Sequence, residues 1–259
     1  MSRRGIAGAR GVIALLAALV ALAALLAAPA ARGASIESRT VVSRGKKRTY
    51  ALYVPAGVVK DRIAPLLVSL HGSTSNGKTA VDRWTSIADA HGMIVVGPDA
   101  TDNKMWVSPQ DGPLFLKDVV DDVAKSYALD GRRLYIFGHS AGANFALQMA
   151  VLESEYFAAG AIHAGAISSD YYSIFDAATR KIPLAIYIGD RDQFYPIDVV
   201  RGVKDALLKR GFDLLYKEMP GHDHNYGAVA PDINKEIWDF FAGHPLPADP
   251  KYTNYQDPK

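Results

Sequence analysis

Short apolar runs alternate along the chain with segments in which apolar residues recur at helical spacing. Apolar runs without polar breaks are typical of strands buried on both faces of a parallel sheet, whereas the helical spacing indicates amphipathic helices. The predicted strands are residues 64–70, 93–96, 134–138, 157–164, 183–189 and 212–219. The predicted helices are residues 81–91, 115–127, the segment from 141 onward, 198–210 and 232–241.

Ahead of these elements, residues 37–42 and 48–54 alternate between apolar and polar positions around a turn of small and basic residues. This pattern predicts an antiparallel hairpin at the edge of the sheet. Because strands and helices then alternate, we expect an α/β fold. Its sheet would be mostly parallel, with about eight strands, an antiparallel N-terminal hairpin and helices on both faces.

The first 34 residues have the pattern of a targeting segment. Three arginines precede the unbroken apolar run 11–28, and a stretch of small residues follows the run. We therefore expect a signal peptide in residues 1–34 and a secreted or periplasmic protein, although the run is also long enough to form an uncleaved membrane anchor. The remaining chain divides into one domain, residues 35–245, and a flexible C-terminal tail, residues 246–259.

Removing the four arginines of residues 1–34 changes the formal net charge from +2 to −2. The basic character of the chain therefore lies in the targeting segment, and no nucleic-acid partner is indicated. The chain contains no cysteine, which excludes disulfides and a lipoprotein anchor. We expect neither a metal nor another cofactor, because the pair His222 and His224 alone would make a poor zinc site.

The segment 134–150 changes from strand to helix within a few residues, and Ser140 lies at the junction between Gly138 and Gly142. A G-x-S-x-G spacing in this context predicts a sharp, strained turn that exposes the serine hydroxyl at the carboxyl edge of the sheet. Both glycines are needed there because side chains would collide with neighbouring backbone. The alternative is an inert serine in a glycine-rich turn.

A second feature is the segment 71–74, His-Gly-Ser-Thr, which follows the strand 64–70. In hydrolases with such a serine turn, one N–H group of this loop and the N–H group after the serine hold the developing oxyanion. The candidates here are the backbone N–H groups of Ser73 and Ala141. We expect His71 to brace the loop by hydrogen bonding.

Aspartates and paired histidines follow later strands, so that the order along the chain is Ser, Asp, His. With this order, the chain resembles the α/β-hydrolase esterases, and in particular the group of polyhydroxybutyrate depolymerases and feruloyl esterases. The resemblance covers nearly all of the chain after the targeting segment. It depends on RTYALYVPAG, LLVSLHGST, IADAHGMIVVGPDA, DDVAKSYALDGRRLYIFGHSAG and the loop 189–196.

The resemblance implies that Asp192 is the acid of a catalytic triad, since the acid of the group lies three residues after a glycine and before a proline. Asp190 is the second candidate, with a bracing role otherwise. The group usually has Gly-Gly-His at the base position, whereas this chain has Pro-Gly-His-Asp-His-Asn-Tyr. We favour His224 as the base because of its distance from Pro220 and Tyr226, and His222 is the alternative.

Together these residues predict a secreted serine carboxylic-ester hydrolase that forms an acyl-enzyme on Ser140. The partner would be a small or polymeric ester, such as a hydroxycinnamoyl ester or a polyester, with Trp106 and Tyr195 as substrate-binding residues. A membrane would be a partner only if the N-terminal segment stays uncleaved. The alternatives are a serine peptidase or thioesterase of the same fold, and a non-catalytic binding protein with a hydrolase fold.

Overall fold

The structure is a computed structural model that describes residues 34–59 and 62–253. The predicted signal peptide, or anchor, lies outside the described residues except for Ala34. Within the described ranges, no helix is both long and apolar enough to cross a membrane.

Eight strands form one sheet in the order β1-β2-β4-β3-β5-β6-β7-β8. Strand β2 pairs antiparallel with both β1 and β4, and the remaining pairs are parallel. This confirms the predicted mostly parallel sheet with an antiparallel N-terminal hairpin at its edge. The strands are β1 (Glu37–Ser43), β2 (Lys46–Tyr53), β3 (Ala64–Leu70), β4 (Ile94–Pro98), β5 (Leu129–His139), β6 (Ala159–His163), β7 (Leu184–Gly189) and β8 (Leu214–Met219).

Helices cover both faces of the sheet, also as predicted. They are α1 (Gly77–Asp82), α2 (Thr85–His91), α3 (Pro113–Ala124), α4 (Ala141–Leu152), α5 (Ile197–Lys209) and α6 (Tyr226–Ala242), with a 3-10 helix at Ser169–Ala177. Along β5, Leu134 and Ile136 pack into the core beneath α3, α4 and α5, whereas Tyr135 and Phe137 pack into the core beneath α1, α2 and α6. Burial on both faces explains why the central strands have no polar break.

Several element boundaries differ from the sequence-based prediction, and three of the differences are the largest. The single helix predicted at 81–91 is two helices, and the first begins at Gly77 because the Asn76 side chain accepts the Thr79 N–H group at 2.9 Å. Strand β5 begins at Leu129, before the apolar run. Helix α6 begins at Tyr226 and includes Pro231, a residue that usually marks a helix start or break.

Residues 246–253, which belong to the segment that we expected to be a flexible tail, make contacts with the domain. The Leu246 side chain is buried, its N–H group donates to the Arg132 carbonyl at 2.8 Å, and the Lys251 N–H group donates to the Glu155 carbonyl at 2.9 Å. These contacts hold the segment against the domain although its composition is polar and proline-rich. Residues 254–259 lie outside the described chain.

Candidate active site

Ser140 lies between β5 and α4 with φ 57° and ψ −121°, a backbone conformation that a residue with a side chain rarely adopts. Its N–H group donates to the His163 carbonyl at the end of β6, at 3.1 Å, and its carbonyl accepts the Ala143 N–H group in the first turn of α4. The strained serine is therefore held by backbone bonds on both sides.

The two glycines of the motif allow backbone segments to approach closely. A Cβ atom on Gly138 would lie 2.1 Å from the Gly142 carbonyl oxygen, and one on Gly142 would lie 2.4 Å from the Leu70 carbonyl oxygen. No side chain fits at these distances. Gly142 thus allows the start of α4 to pack against the end of β3, next to the loop that carries Ser73.

Ser140, His224 and Asp192 form a continuous hydrogen-bonded chain. The Asp192 Oδ2 atom lies 2.7 Å from His224 Nδ1, and His224 Nε2 lies 2.9 Å from Ser140 Oγ. Because a carboxylate only accepts hydrogen bonds, Nδ1 carries the proton, and the bare Nε2 accepts the serine hydroxyl proton. This is the tautomer that a general base next to a serine nucleophile requires.

The Asp192 side chain is fully buried behind His224. Its Oδ1 atom accepts the N–H groups of Phe194 and Tyr195 at 2.8 and 2.9 Å. These two bonds stabilise the charged form of the carboxylate and fix its orientation toward His224. The sequence left Asp190 and His222 as alternatives, and the structure places neither against Ser140. Asp190 accepts the Gly221 N–H group at 2.7 Å, which joins the loop after β7 to the loop after β8.

His222 belongs instead to a second chain of three histidines. Its Nε2 atom lies 3.1 Å from Nε2 of His163, and Nδ1 of His163 lies 3.0 Å from Nδ1 of His139. The His139 ring in turn lies against the ring of His224, with centroids 4.9 Å apart. The three histidines therefore connect the loop that carries His224 to the strand end that carries Ser140.

Burial lowers the pKa of His139 to about 4 and lowers the pKa of His163 further, because desolvation penalises the cation. Neighbouring histidines lower both values as well, while Asp192 opposes the shift at His139. Both rings are thus neutral at pH 7. A neutral His139 places no charge against the imidazolium that would form on His224 during proton transfer.

The loop after β3 lies directly beside Ser140, since a Cβ atom on Gly72 would be 3.2 Å from the Ser140 Cβ atom. His71 braces this loop: its Nε2 accepts the Ala100 N–H group at 3.2 Å, and its Nδ1 donates to the Gly72 carbonyl at 2.9 Å. Within the described chain, the N–H groups of Ser73 and Ala141 have no protein acceptor. Both groups are therefore available to an oxygen atom bound at Ser140.

A cavity of about 270 Å³ opens at the candidate triad. It lies between the loop after β3 and α1 on one side and the start of α6 on the other. Its walls include Ser140, His224, Gly72, Ser73 and Arg83. Sequence reasoning missed Arg83, because nothing in its surroundings along the chain distinguishes it from a surface arginine.

The two residues that we expected to bind substrate lie beside this cavity and are not among the residues that line it. Trp106 donates its Nε1–H group to the His71 carbonyl at 2.9 Å and stacks on Phe145. The Tyr195 hydroxyl accepts from Asn144 Nδ2 at 2.9 Å, and its ring stacks over His224 at 5.9 Å. A role in substrate binding remains a prediction for both.

The histidine chain was also missed, although the sequence carries a signal for it. His139 directly follows the predicted strand 134–138, and His163 lies one residue before the end of the predicted strand 157–164. The two are direct partners in the parallel pairing of β5 with β6. Given the strand order, two histidines at neighbouring strand ends would have been expected to touch.

Comparison with known proteins gives matches to esterases. Residues 114–181 match the family model described as Esterase PHB depolymerase. The chain is 26% identical over 187 residues to the bifunctional acetylxylan esterase/xylanase XynS20E of Neocallimastix patriciarum, a match that covers 71% of this chain and 24% of that protein. It is 32% identical over 126 residues to poly(3-hydroxyalkanoate) depolymerase C of Paucimonas lemoignei, covering 44% of this chain and 30% of that protein.

Among solved structures, a ferulic acid esterase from Anaeromyces mucronatus in complex with ferulic acid superposes with a TM-score of 0.61. The two chains are 19% identical, and the match covers 78% of this chain and 89% of that one. The chain spans 24% of the length of the first of these curated relatives and 30% of the second. These matches confirm the resemblance to the polyhydroxybutyrate depolymerase and feruloyl esterase group, and the chain has the α/β-hydrolase fold.

Proposed function

We propose that this protein is a serine carboxylic-ester hydrolase. The observation that carries the proposal is the unbroken chain of hydrogen bonds from Asp192 through His224 to Ser140, with the serine in its strained turn. The esterase relatives support the same reaction class.

In the proposed reaction, Ser140 Oγ attacks the ester carbonyl carbon while His224 Nε2 takes its proton. The carbonyl oxygen becomes an oxyanion, which accepts hydrogen bonds from the N–H groups of Ser73 and Ala141. His224 then gives the proton to the departing alcohol, leaving an acyl group on Ser140. A water molecule, deprotonated by His224, attacks this acyl-enzyme and releases the acid. Asp192 holds the His224 tautomer and stabilises its cation throughout.

The relatives support our proposal for the substrate class, because their names refer to acetylxylan, poly(3-hydroxyalkanoate) and ferulic acid. We take an ester of a hydroxycinnamoyl group or of a hydroxy-acid polymer as the substrate. We also propose that the protein is exported. The sequence pattern of residues 1–34 supports export, and a polymeric substrate would not enter the cell.

The test is hydrolysis of a short-chain 4-nitrophenyl ester by the protein and three variants. Ser140→Ala and His224→Ala remove the nucleophile and the base, so kcat falls by about a thousandfold or more. His222→Ala is the matched control, since it removes a histidine of the same loop that does not contact Ser140. We expect this variant to keep most of the activity, and a fluorophosphonate to label Ser140 in it.

Turnover that survives Ser140→Ala would contradict the serine mechanism. Loss of activity in His222→Ala together with full activity in His224→Ala would identify His222 as the general base instead. If the wild-type protein neither hydrolyses the ester nor reacts with the fluorophosphonate, the binding-protein alternative becomes the better explanation.

A further inference from the structure

The charge of the active-site cavity is unbalanced. Arg83 is the one lysine or arginine among the residues that line it, and no aspartate or glutamate lines it. Asp192, the acid of the candidate triad, is fully buried behind His224 and already accepts three hydrogen bonds. The cavity therefore presents a positive charge to whatever binds at Ser140.

The Arg83 side chain has no ion pair and no hydrogen bond to any other described residue, although its backbone is fixed. Its N–H group donates to the Val81 carbonyl, and its carbonyl accepts from Asn234 Nδ2 at 2.8 Å. The next residue, Trp84, is fully buried. The backbone of Arg83 is thus fixed beside the cavity, while its side chain is exposed and its guanidinium donors have no acceptor among the described residues.

Space for the guanidinium comes from Gly227, in the first turn of α6, which lines the same cavity. A Cβ atom on Gly227 would lie 2.9 Å from Arg83 Nη2. The guanidinium therefore rests on backbone beside the loop that carries His224. The first turn of α6 contains no acidic residue that would neutralise it.

Resting on the proposed esterase function, we propose that Arg83 makes this cavity selective for esters that carry a carboxylate. Ser140 and Arg83 line the same cavity of about 270 Å³, so a short acid in ester linkage to Ser140 would lie in the space that the guanidinium borders. Arginine suits the task because its planar donors match both carboxylate oxygens. Ser75 also lines the cavity and offers a hydroxyl group to the same ligand.

The experiment compares an anionic ester with a neutral ester of the same length. On the acyl side, mono-4-nitrophenyl glutarate is compared with 4-nitrophenyl valerate; on the alcohol side, 3-acetoxybutyrate is compared with 3-acetoxybutyramide. For each pair we take the ratio of kcat/KM, anionic over neutral. We expect Arg83→Gln to lower this ratio about tenfold in at least one pair, the effect of losing a hydrogen-bonded charge partner at an accessible site.

Two further variants control the result. Arg62→Gln removes the same charge at the amino end of β3, on the edge of the sheet opposite the site, and should leave the ratio at its wild-type value. Arg83→Lys keeps the charge without the planar donors and should restore part of the preference. Because the ratio is taken within each variant, a general loss of folded protein cancels out.

A binding measurement gives a second readout. Free glutarate should slow the labelling of Ser140 by a fluorophosphonate in the wild-type protein, and less so in Arg83→Gln. If the ratio and the protection are the same in Arg83→Gln and in the wild-type protein, the selectivity proposal is overturned while Ser140-dependent hydrolysis of the neutral esters still stands. If no ester is hydrolysed and Ser140 is not labelled, the esterase proposal fails, and the selectivity proposal fails with it.

Discussion

At the scale of single residues, the structure shows different contacts for two aspartates whose roles the sequence alone could not distinguish. Asp192 and Asp190 lie two positions apart after the same strand, yet Asp192 contacts His224 and Asp190 contacts a backbone N–H group. The difference arises because the loop turns between them. The Arg191 N–H group donates to the His222 carbonyl at 2.9 Å, and Asp192 then faces the opposite side of the loop.

We predict that Asp192→Asn lowers kcat for a 4-nitrophenyl ester by about a hundredfold or more, because an amide no longer fixes the His224 tautomer. Asp190→Asn is the matched control, since an amide oxygen can still accept the Gly221 N–H group. It should change kcat by less than about threefold. A larger loss in Asp190→Asn than in Asp192→Asn would contradict the triad.

At the scale of elements, one buried carboxylate organises the loop between β4 and α3. The Asp111 side chain is fully buried, pairs with Arg48 of β2 at 2.6 Å, and accepts the N–H groups of Thr101 and Val107. The Arg48 guanidinium also lies 3.7 Å over the ring of Phe115 in α3. Asp111 therefore joins the N-terminal hairpin to the loop that carries Trp106.

We predict that Asp111→Ala lowers the free energy of unfolding by about 3 kcal/mol, because it leaves the nearly buried Arg48 without its partner. Urea unfolding measures the change. Asp121→Ala breaks the exposed pair with Lys117 in α3 and should cost less than about 0.5 kcal/mol. Equal effects of the two substitutions would show that Asp111 does not organise the loop.

At the scale of the whole molecule, buried neutral histidines couple stability to pH. Burial lowers the pKa of His71, His139 and His163, the last two within the histidine chain behind the site. The unfolded chain then binds more protons than the folded protein between pH 6.5, the ordinary histidine pKa, and about pH 4. Stability therefore falls as the pH drops through this window.

We predict that the free energy of unfolding decreases from pH 7 to pH 5 by roughly 2 kcal/mol for each strongly shifted histidine. His163→Leu removes one such group, so the decrease should be smaller by a similar amount. Urea titrations at pH 7 and pH 5 measure the change in the free energy of unfolding with pH for both proteins. Titrations at pH 7 and pH 8 supply a baseline, because this change should be the same in the two proteins there. An unchanged slope in His163→Leu would contradict a buried neutral His163.

The architecture could largely be predicted from the sequence, because local patterns determine it. Unbroken apolar runs such as 64–70 form strands buried on both faces, and the glycines around Ser140 fit a turn in which any side chain would meet backbone. Boundaries such as the start of α6 could not be predicted, since Pro231 indicates a break that packing of Tyr226 and Ala230 overrides.

What the sequence by itself determined is therefore the sheet, its helices and the position of Ser140 at a strand end. Only the tertiary structure decided which histidine contacts that serine and which aspartate contacts that histidine, because the choice depends on contacts between two loops far apart along the chain. The same holds for the histidine chain and for the unpaired Arg83 at the cavity. Local sequence determines the backbone position of a side chain, and the packing of distant segments determines which groups that side chain contacts.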